Sequence, residues 1–261
     1  MAQQSFLTAF ATRYRVTMAT VIQSFKRHRA GARLGLIMAL LEFAAGILIM
    51  GLLFSLIGRT APVGGGMLLF LLTGLLPFAC FQQTTGKVAM AMQMGSMATR
   101  IPLTTPLGRG VAAMVEMLII ASIVGTAMLV GMTAAGEEFT PPRYPLMCAQ
   151  AVILGCVFGF GIGVLNFVID QFVRGWLSIW QMFSRGLFFL SGIFFVVDLL
   201  PPQARDILAW NPLVHLLTTF RLGVYPQYPD IIYDPVYLVG WVFAALFIAL
   251  WAERLLRRKM T

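Results

Sequence analysis

The chain has 261 residues, of which 59% are hydrophobic and 11% charged, with a mean hydropathy of +0.85. Soluble domains carry about a quarter charged residues, so the composition excludes a soluble globular protein. Nineteen Lys and Arg against ten Asp and Glu give a formal charge of +9, a surplus that marks a nucleic-acid binder only where it gathers on one folded face.

In the first 33 residues Leu7, Phe10, Tyr14, Met18, Val21 and Phe25 recur at intervals of three and four, with Arg13, Thr20, Gln23, Ser24 and Arg27 on other faces. This spacing predicts a basic amphipathic helix, too polar to cross a bilayer, lying in the cytoplasmic membrane interface over 1–33. A generic membrane anchor is the simpler role for it. No apolar core precedes the first long span, so a cleavable signal peptide is not expected.

A hydrocarbon core of about 30 Å needs ~20 apolar helical residues. Six stretches meet or approach that length: Leu34–Ile57, Met67–Thr85, Val111–Ala135, Leu146–Ile169, Trp176–Val197 and Val236–Ala252. Only helices satisfy backbone polar groups at that depth in runs this apolar, so the expected fold is an all-α integral membrane bundle of six transmembrane helices over 34–254. A basic tail, 255–261, follows. The pieces between the spans are too small to hold a soluble catalytic domain.

With the N-terminus inside, the cytoplasmic pieces hold Arg13, Arg15, Lys26, Arg27, Arg29, Arg33, Lys87, Arg100, Arg109, Arg174, Arg254, Arg257, Arg258 and Lys259, 14 of the 19 basic residues. Arg59, Arg143, Arg205 and Arg221 fall outside, and Arg185 lies within the fifth span. Both termini are therefore expected in the cytoplasm of a multi-pass membrane protein. The surplus charge reports topology, and no nucleic-acid partner is expected.

Between the second and third spans, Met90, Met94 and Met97 in the segment 86–100 share one helical face, with Val88 nearby, before Pro102 and Pro106 interrupt any helix. Methionine suits adaptable docking surfaces, and the same stripe also fits a simple extension of the second span. The outer piece 198–235 is too apolar for a solvated loop. Asn211 before Pro212 reads as an N-cap with Pro at the first helical position, giving two short helices over roughly 203–209 and 212–222. Such helices either dip into the membrane as re-entrant segments or lie on it as an interfacial hairpin.

The chemistry of catalysis is missing. Gly86-Lys87 is followed by Val88 and lacks the upstream glycine of a phosphate-binding loop, and no zinc-protease or nucleophile-elbow pattern occurs. Cys80, Cys148 and Cys156 are three, all in apolar runs without paired spacing or nearby His, so they read as packing residues and no metal site is expected. This chain is not expected to be an enzyme by itself. Glu42, Glu116 and Arg185 are ionisable residues within spans. Glu116 fits the cytoplasmic interface, whereas Glu42 and Arg185 lie about 13 Å deep at ~1.5 Å per residue. Those two either pair with each other or face a substrate conduit, Arg185 then attracting an anionic substrate. Trp180 and its aromatic neighbours in the fifth span either pack or offer sugar platforms.

The order of short motifs resembles the ABC-2 type permeases, and more narrowly the inner-membrane permeases of Gram-negative capsular polysaccharide exporters. It is carried by Arg33-Leu34-Gly35, Thr73-Gly74-Leu75-Leu76-Pro77-Phe78, Arg100-Ile101-Pro102 through Pro106-Leu107 and Arg109, Ser191-Gly192-Ile193-Phe194, and Trp210-Asn211-Pro212-Leu213-Val214-His215. The likeness runs from about residue 26 to 258 and departs where Phe43 follows Glu42, a place where such permeases often have Pro. The resemblance implies a homodimer enclosing a conduit and bound to two copies of a separate ATP-binding cassette subunit. ATP and Mg would sit in that subunit, with no cofactor on this chain. It implies that Val88, Met90, Met94 and Met97 belong to a coupling segment that docks on that subunit. It also implies that 203–222, with Trp210, Asn211, Pro212 and His215, gates the exit. The cargo would be a lipid-linked, acidic polysaccharide passed to a periplasmic adaptor and outer-membrane exporter. The same architecture also suits export of O-antigen, teichoic acid or a lipid. A non-transporting membrane scaffold is a further alternative, and an integral-membrane transferase lacks the carboxylate cluster it would need.

Overall fold

The computed structural model describes residues 66–94, 105–134, 142–225 and 227–260, with short pieces between 45 and 64. The interface helix expected over 1–33, most of the first span with Glu42, and Met97 lie outside the described residues. Among the described residues there are helical residues at 49–54, then seven α-helices, one 3-10 turn and no strand. They are α1 (Met67–Gln93), α2 (Pro106–Ala134), α3 (Pro145–Phe172), α4 (Trp176–Leu190), α5 (Pro202–Leu208), α6 (Pro212–Val224) and α7 (Pro235–Met260), with the 3-10 turn at Val197–Leu199. Among the described residues four stretches are long and apolar enough to cross a membrane: Met67–Gln93, Pro106–Met128, Pro145–Phe172 and Pro235–Arg258.

These four coincide with the second, third, fourth and sixth expected spans, but their ends differ. Helix α1 runs past Thr85 to Gln93, taking in the first half of the methionine stripe. Pro106 opens α2 instead of breaking it, since a first-turn N–H has no intrahelical partner to lose. Glu116 is therefore ten residues into its helix and half-buried, deeper than a helix start at Val111 implies. Helix α7 carries straight on through the basic tail to Met260.

The fifth expected span requires a correction. Helix α4 has 15 residues, about 22 Å at 1.5 Å per residue, and stops at Leu190 instead of continuing to Val197. Gly192 is the reason: it sits at φ +74°, a left-handed conformation that side chains with a Cβ rarely adopt. The chain then turns through 191–195 before the 3-10 turn.

The centre of the bundle is the pair α1 and α3, which run parallel and meet along a ladder of glycines. A Cβ built on Gly155 would lie 3.2 Å from the Pro77 carbonyl oxygen, one on Gly159 2.5 Å from that of Phe81, and one on Gly163 2.8 Å from that of Thr85. Glycine at three successive turns thus lets one backbone rest directly on the other. Small residues allow this approach, and in lipid close packing is what draws helices together. Gly161, on another face of α3, brings the backbone of α7 as close, with Ala245 C at 3.2 Å from its Cβ position. Helix α2 packs on α1 and α3. The outward faces of α2 and α7 expose large apolar side chains, among them Ile123, Trp241, Phe243 and Phe247. Hydrocarbon can solvate those faces where water cannot.

Helix α6 fills the wedge between α1, α3 and α7, and nearly all its side chains are buried. It runs antiparallel to α3. Gly223 touches Tyr144 and Cys148 at the start of α3, while Leu216 touches Gly155, ten residues further along or about 15 Å deeper. Thirteen residues cannot cross a bilayer, yet this helix is inside the bundle.

Candidate functional site

The elbow between α5 and α6 is held at both sides. The Asn211 carboxamide oxygen accepts from the Leu213 backbone N–H at 3.0 Å, the N-cap bond expected from sequence, and Pro212 occupies the first helical position. The amide nitrogen of Asn211 also donates to the Leu190 carbonyl at 3.1 Å, joining the start of α6 to the end of α4. His215 is buried, and its Nδ1 accepts from the Asp234 backbone N–H at 3.1 Å. A backbone amide can only donate, so the ring proton belongs on Nε2, which bonds the Ala209 carbonyl at 2.8 Å. With both nitrogens engaged, His215 is a tie between the elbow and the start of α7. Its ring lies 5.0 Å from that of Tyr237, whose hydroxyl donates to the Trp210 carbonyl at 2.8 Å. The Trp210 side chain points outward, 77% exposed.

Nearly two turns further, Arg221 is the largest fully buried side chain among the described residues, 1% exposed. Its Nη1 donates to the Gly192 carbonyl at 2.8 Å, the Phe195 carbonyl at 3.4 Å and the Tyr228 hydroxyl at 3.1 Å. Its Nη2 donates to the Ile193 carbonyl at 2.8 Å. The guanidinium lies 4.1 Å from the Phe70 ring centroid and 5.7 Å from that of Tyr228, so aromatic faces meet part of its charge. Among the described residues no carboxylate pairs with it. Gly74 makes room: a Cβ there would stand 2.9 Å from Arg221 Nη2 and 3.1 Å from the Ile193 carbonyl oxygen. Two of the short motifs that carry the resemblance, around Gly74 and Gly192, therefore meet at one guanidinium. Sequence reasoning placed Arg221 among the outer loop charges and missed it. The signal was present, for Arg221 sits inside a segment already too apolar for a loop, where an ionisable residue deserves the scrutiny given to Arg185. Nearby, Asp198 accepts from the Ile232 backbone N–H at 3.2 Å, and burial pushes its carboxyl above the ordinary carboxylate range.

At the opposite end of α1 the methionine stripe divides. Met90 and Met94 are 63% and 48% exposed, four residues apart on one face. Val88 is fully buried against Gly163 of α3 and is corrected as a docking residue: two residues from Met90, it points the other way round the helix. Met97 lies outside the described residues. Arg109, buried at the start of α2, closes the end of α1 with bonds from Nε to the Ala91 carbonyl at 2.9 Å and from Nη2 to the Met92 carbonyl at 3.1 Å. Gln93 donates to Asp170 Oδ2 at 2.6 Å, and Asp170 Oδ1 accepts from the Leu177 N–H at 3.4 Å. The ends of α1 and α3 and the starts of α2 and α4 are thus one connected body beneath Met90 and Met94.

Two of the three candidate conduit residues are described, both on α4. Arg185 is exposed on α4, Trp180 is half-buried with its ring 5.9 Å from that of Phe183, and Glu42 lies outside the described residues. The inner side of α4 is packed. Ser184 accepts from Gln82 at 3.2 Å, and Phe188 meets Phe78 at 5.4 Å and Phe194 at 5.2 Å.

No family model matches the chain. It is 29% identical to the polysialic acid transport protein KpsM of Escherichia coli over 242 residues, which cover 90% of this chain and 92% of that protein. It is 37% identical over 75 residues, 29% of this chain and 28% of the relative, to the capsule polysaccharide export inner-membrane protein BexB of Haemophilus influenzae. The likeness to KpsM is almost end to end, and it agrees with the resemblance carried by the motifs.

Proposed function

We propose that this chain is the membrane-spanning permease subunit of an ATP-driven exporter that moves capsular polysaccharide across the bacterial inner membrane. The near full-length similarity to KpsM carries this reading. The geometry supports its parts. The end of the bundle bearing Gln93 gathers Lys87, Arg109, Arg174, Arg254, Arg257 and Arg258, which on the positive-inside rule is the cytoplasmic end. On it Met90 and Met94 offer the exposed face against which the ATP-binding subunit docks. ATP and Mg belong to that subunit. At the other end α5 and α6 descend and return as a re-entrant hairpin, tolerated because protein surrounds α6, and they form the outer gate with Trp210, Asn211, Pro212 and His215.

The conduit lies between two copies of the chain. Arg185, exposed on α4, then looks toward the partner copy, with Trp180 at the edge of the packed side of that helix and Glu42 on the first span. An acidic, lipid-linked polymer suits the guanidinium of Arg185. A periplasmic adaptor and an outer-membrane exporter take over the product. Deleting the chain from a capsulated host should leave polymer in the cytoplasm, and supplying it again should restore surface capsule. Normal surface capsule in the deletion strain would overturn the reading, and loss of a different surface polymer would reassign the cargo.

A further inference from the structure

A side groove of about 350 Å3 opens between α2 and α3, with Leu76, Val152 and Phe220 on its floor and Ser122, Thr126 and Ala149 on its rims. Its walls are hydrocarbon in all but name. The Ser122 and Thr126 hydroxyls each donate at 2.8 Å to a carbonyl of α2 itself, those of Leu118 and Ser122, so neither offers a free donor. Water needs two to four polar partners and finds too few here. A helix of a second copy does not fit either. At about 10 Å diameter and 5.4 Å pitch, one helical turn already exceeds this volume.

The lining residues place the groove by depth. Leu118 and Thr126 lie twelve and twenty residues past Pro106, about 18 to 30 Å along α2 from the Gln93 end. The groove therefore occupies the half of the bundle nearest the elbow, which is the outer leaflet under the topology proposed above. Pro142 and Pro145 close that end, and between them stand Arg143 and Tyr144, both exposed, with the guanidinium 5.5 Å from the ring centroid. A cation and an amphipathic ring at the mouth of an apolar slot match a phosphate headgroup at the interface.

We propose that this groove is a lipid site, holding one acyl chain of an outer-leaflet anionic phospholipid whose phosphate is held by Arg143. It rests on the transmembrane reading and not on the identity of the exported polymer. Its floor includes Phe220, the neighbour of Arg221 on α6, so the bound chain touches the helix that carries the outer gate. The resident lipid becomes part of the support of that helix.

The test uses the full-length protein in nanodiscs containing phosphatidylglycerol with a photoreactive acyl chain, read by mass spectrometry of the digested protein. Adducts should concentrate on peptides covering 118–126 and 145–153. Ala149→Trp, filling the groove from an exposed position, should cut that labelling by about tenfold with an unchanged thermal midpoint. Ser122→Phe repeats the test from the other rim if Ala149→Trp fails to insert. Arg143→Gln should weaken labelling by phosphatidylglycerol and spare labelling by a diacylglycerol probe. Labelling spread evenly over α2, α3 and α7, labelling unmoved by the filled groove, or cross-links here to a second copy would each overturn the proposal. No export is measured, so this outcome is independent of the cargo.

Discussion

Replacing Arg221 with Met removes a buried cation and strands the carbonyls it serves. Gly192 and Ile193 each lose a 2.8 Å bond from a charged donor, in a place water does not reach. An orphaned buried acceptor costs ~1–3 kcal/mol, so the pair alone comes to about 2–6 kcal/mol. Part is recovered, because an apolar side chain carries no charge to keep desolvated. A net loss of about 2–4 kcal/mol remains, large against the marginal stability of a domain. The turn after α4 and helix α6 should then part from each other and from Gly74. Thermal unfolding of the purified protein in detergent should show a clearly lowered midpoint, and surface capsule should fall in the complemented deletion strain. Arg221→Lys keeps the charge but not the planar fork, and should be intermediate. Gly74→Ala should reproduce the defect without touching the charge, since its Cβ would sit 2.9 Å from Nη2. An Arg221→Met protein with the wild-type midpoint and normal export would refute the reasoning.

Gly159→Ala places a Cβ 2.5 Å from the Phe81 carbonyl, a contact backbone cannot relax cheaply, and should lower the thermal midpoint by the equivalent of ~1–3 kcal/mol; an unchanged midpoint would show that α1 and α3 separate easily. Met90→Asp with Met94→Asp should abolish co-purification of the ATP-binding subunit while leaving the permease folded, and Met97→Asp should add to the effect; retained pull-down and ATPase stimulation would remove these residues from the docking face. For Asp198 the folded carboxyl titrates above the unfolded one, so the native state holds its proton more tightly and loses stability as pH rises out of the ordinary carboxylate range. Asp198→Asn still accepts from Ile232, so it should match or exceed wild type in thermal stability at neutral pH, with the difference vanishing as pH falls to the ordinary carboxylate range. A marked loss at neutral pH would mean that the ionised form is needed.

Long apolar runs made α1, α2, α3 and α7 legible in the sequence, because hydrocarbon thickness sets a length that composition alone can meet. The Asn211-Pro212 start of α6 was equally legible, since capping chemistry is local. What escaped was non-local. The end of α4 at Leu190 depends on Gly192 taking a positive φ and on Arg221, far along the chain, collecting the carbonyls thus exposed. Nor does a residue's helical face follow from its presence in a stripe. Val88 and Met90 are neighbours in sequence, yet one rests on Gly163 and the other is exposed. The glycines at 155, 159 and 163 passed unnoticed among apolar residues, because their purpose appears only beside the α1 carbonyls they admit.

That ladder determines what motions the central pair can make. Two backbones already in contact cannot be squeezed closer, and the three glycines set no Cβ of their own against Cys80, Thr84 and Val88 of α1, which leaves a slide along the common axis less obstructed. Between the Met90 face and Gly74 lie sixteen residues of continuous helix, about 24 Å of rod, and the interior proline at Pro77 is the weak point near its far end. A load applied where the methionines are exposed thus arrives next to Arg221 as a tilt or a slide and not as a compression. The guanidinium, braced between Phe70 and the 192–195 carbonyls, is the first thing such a movement disturbs.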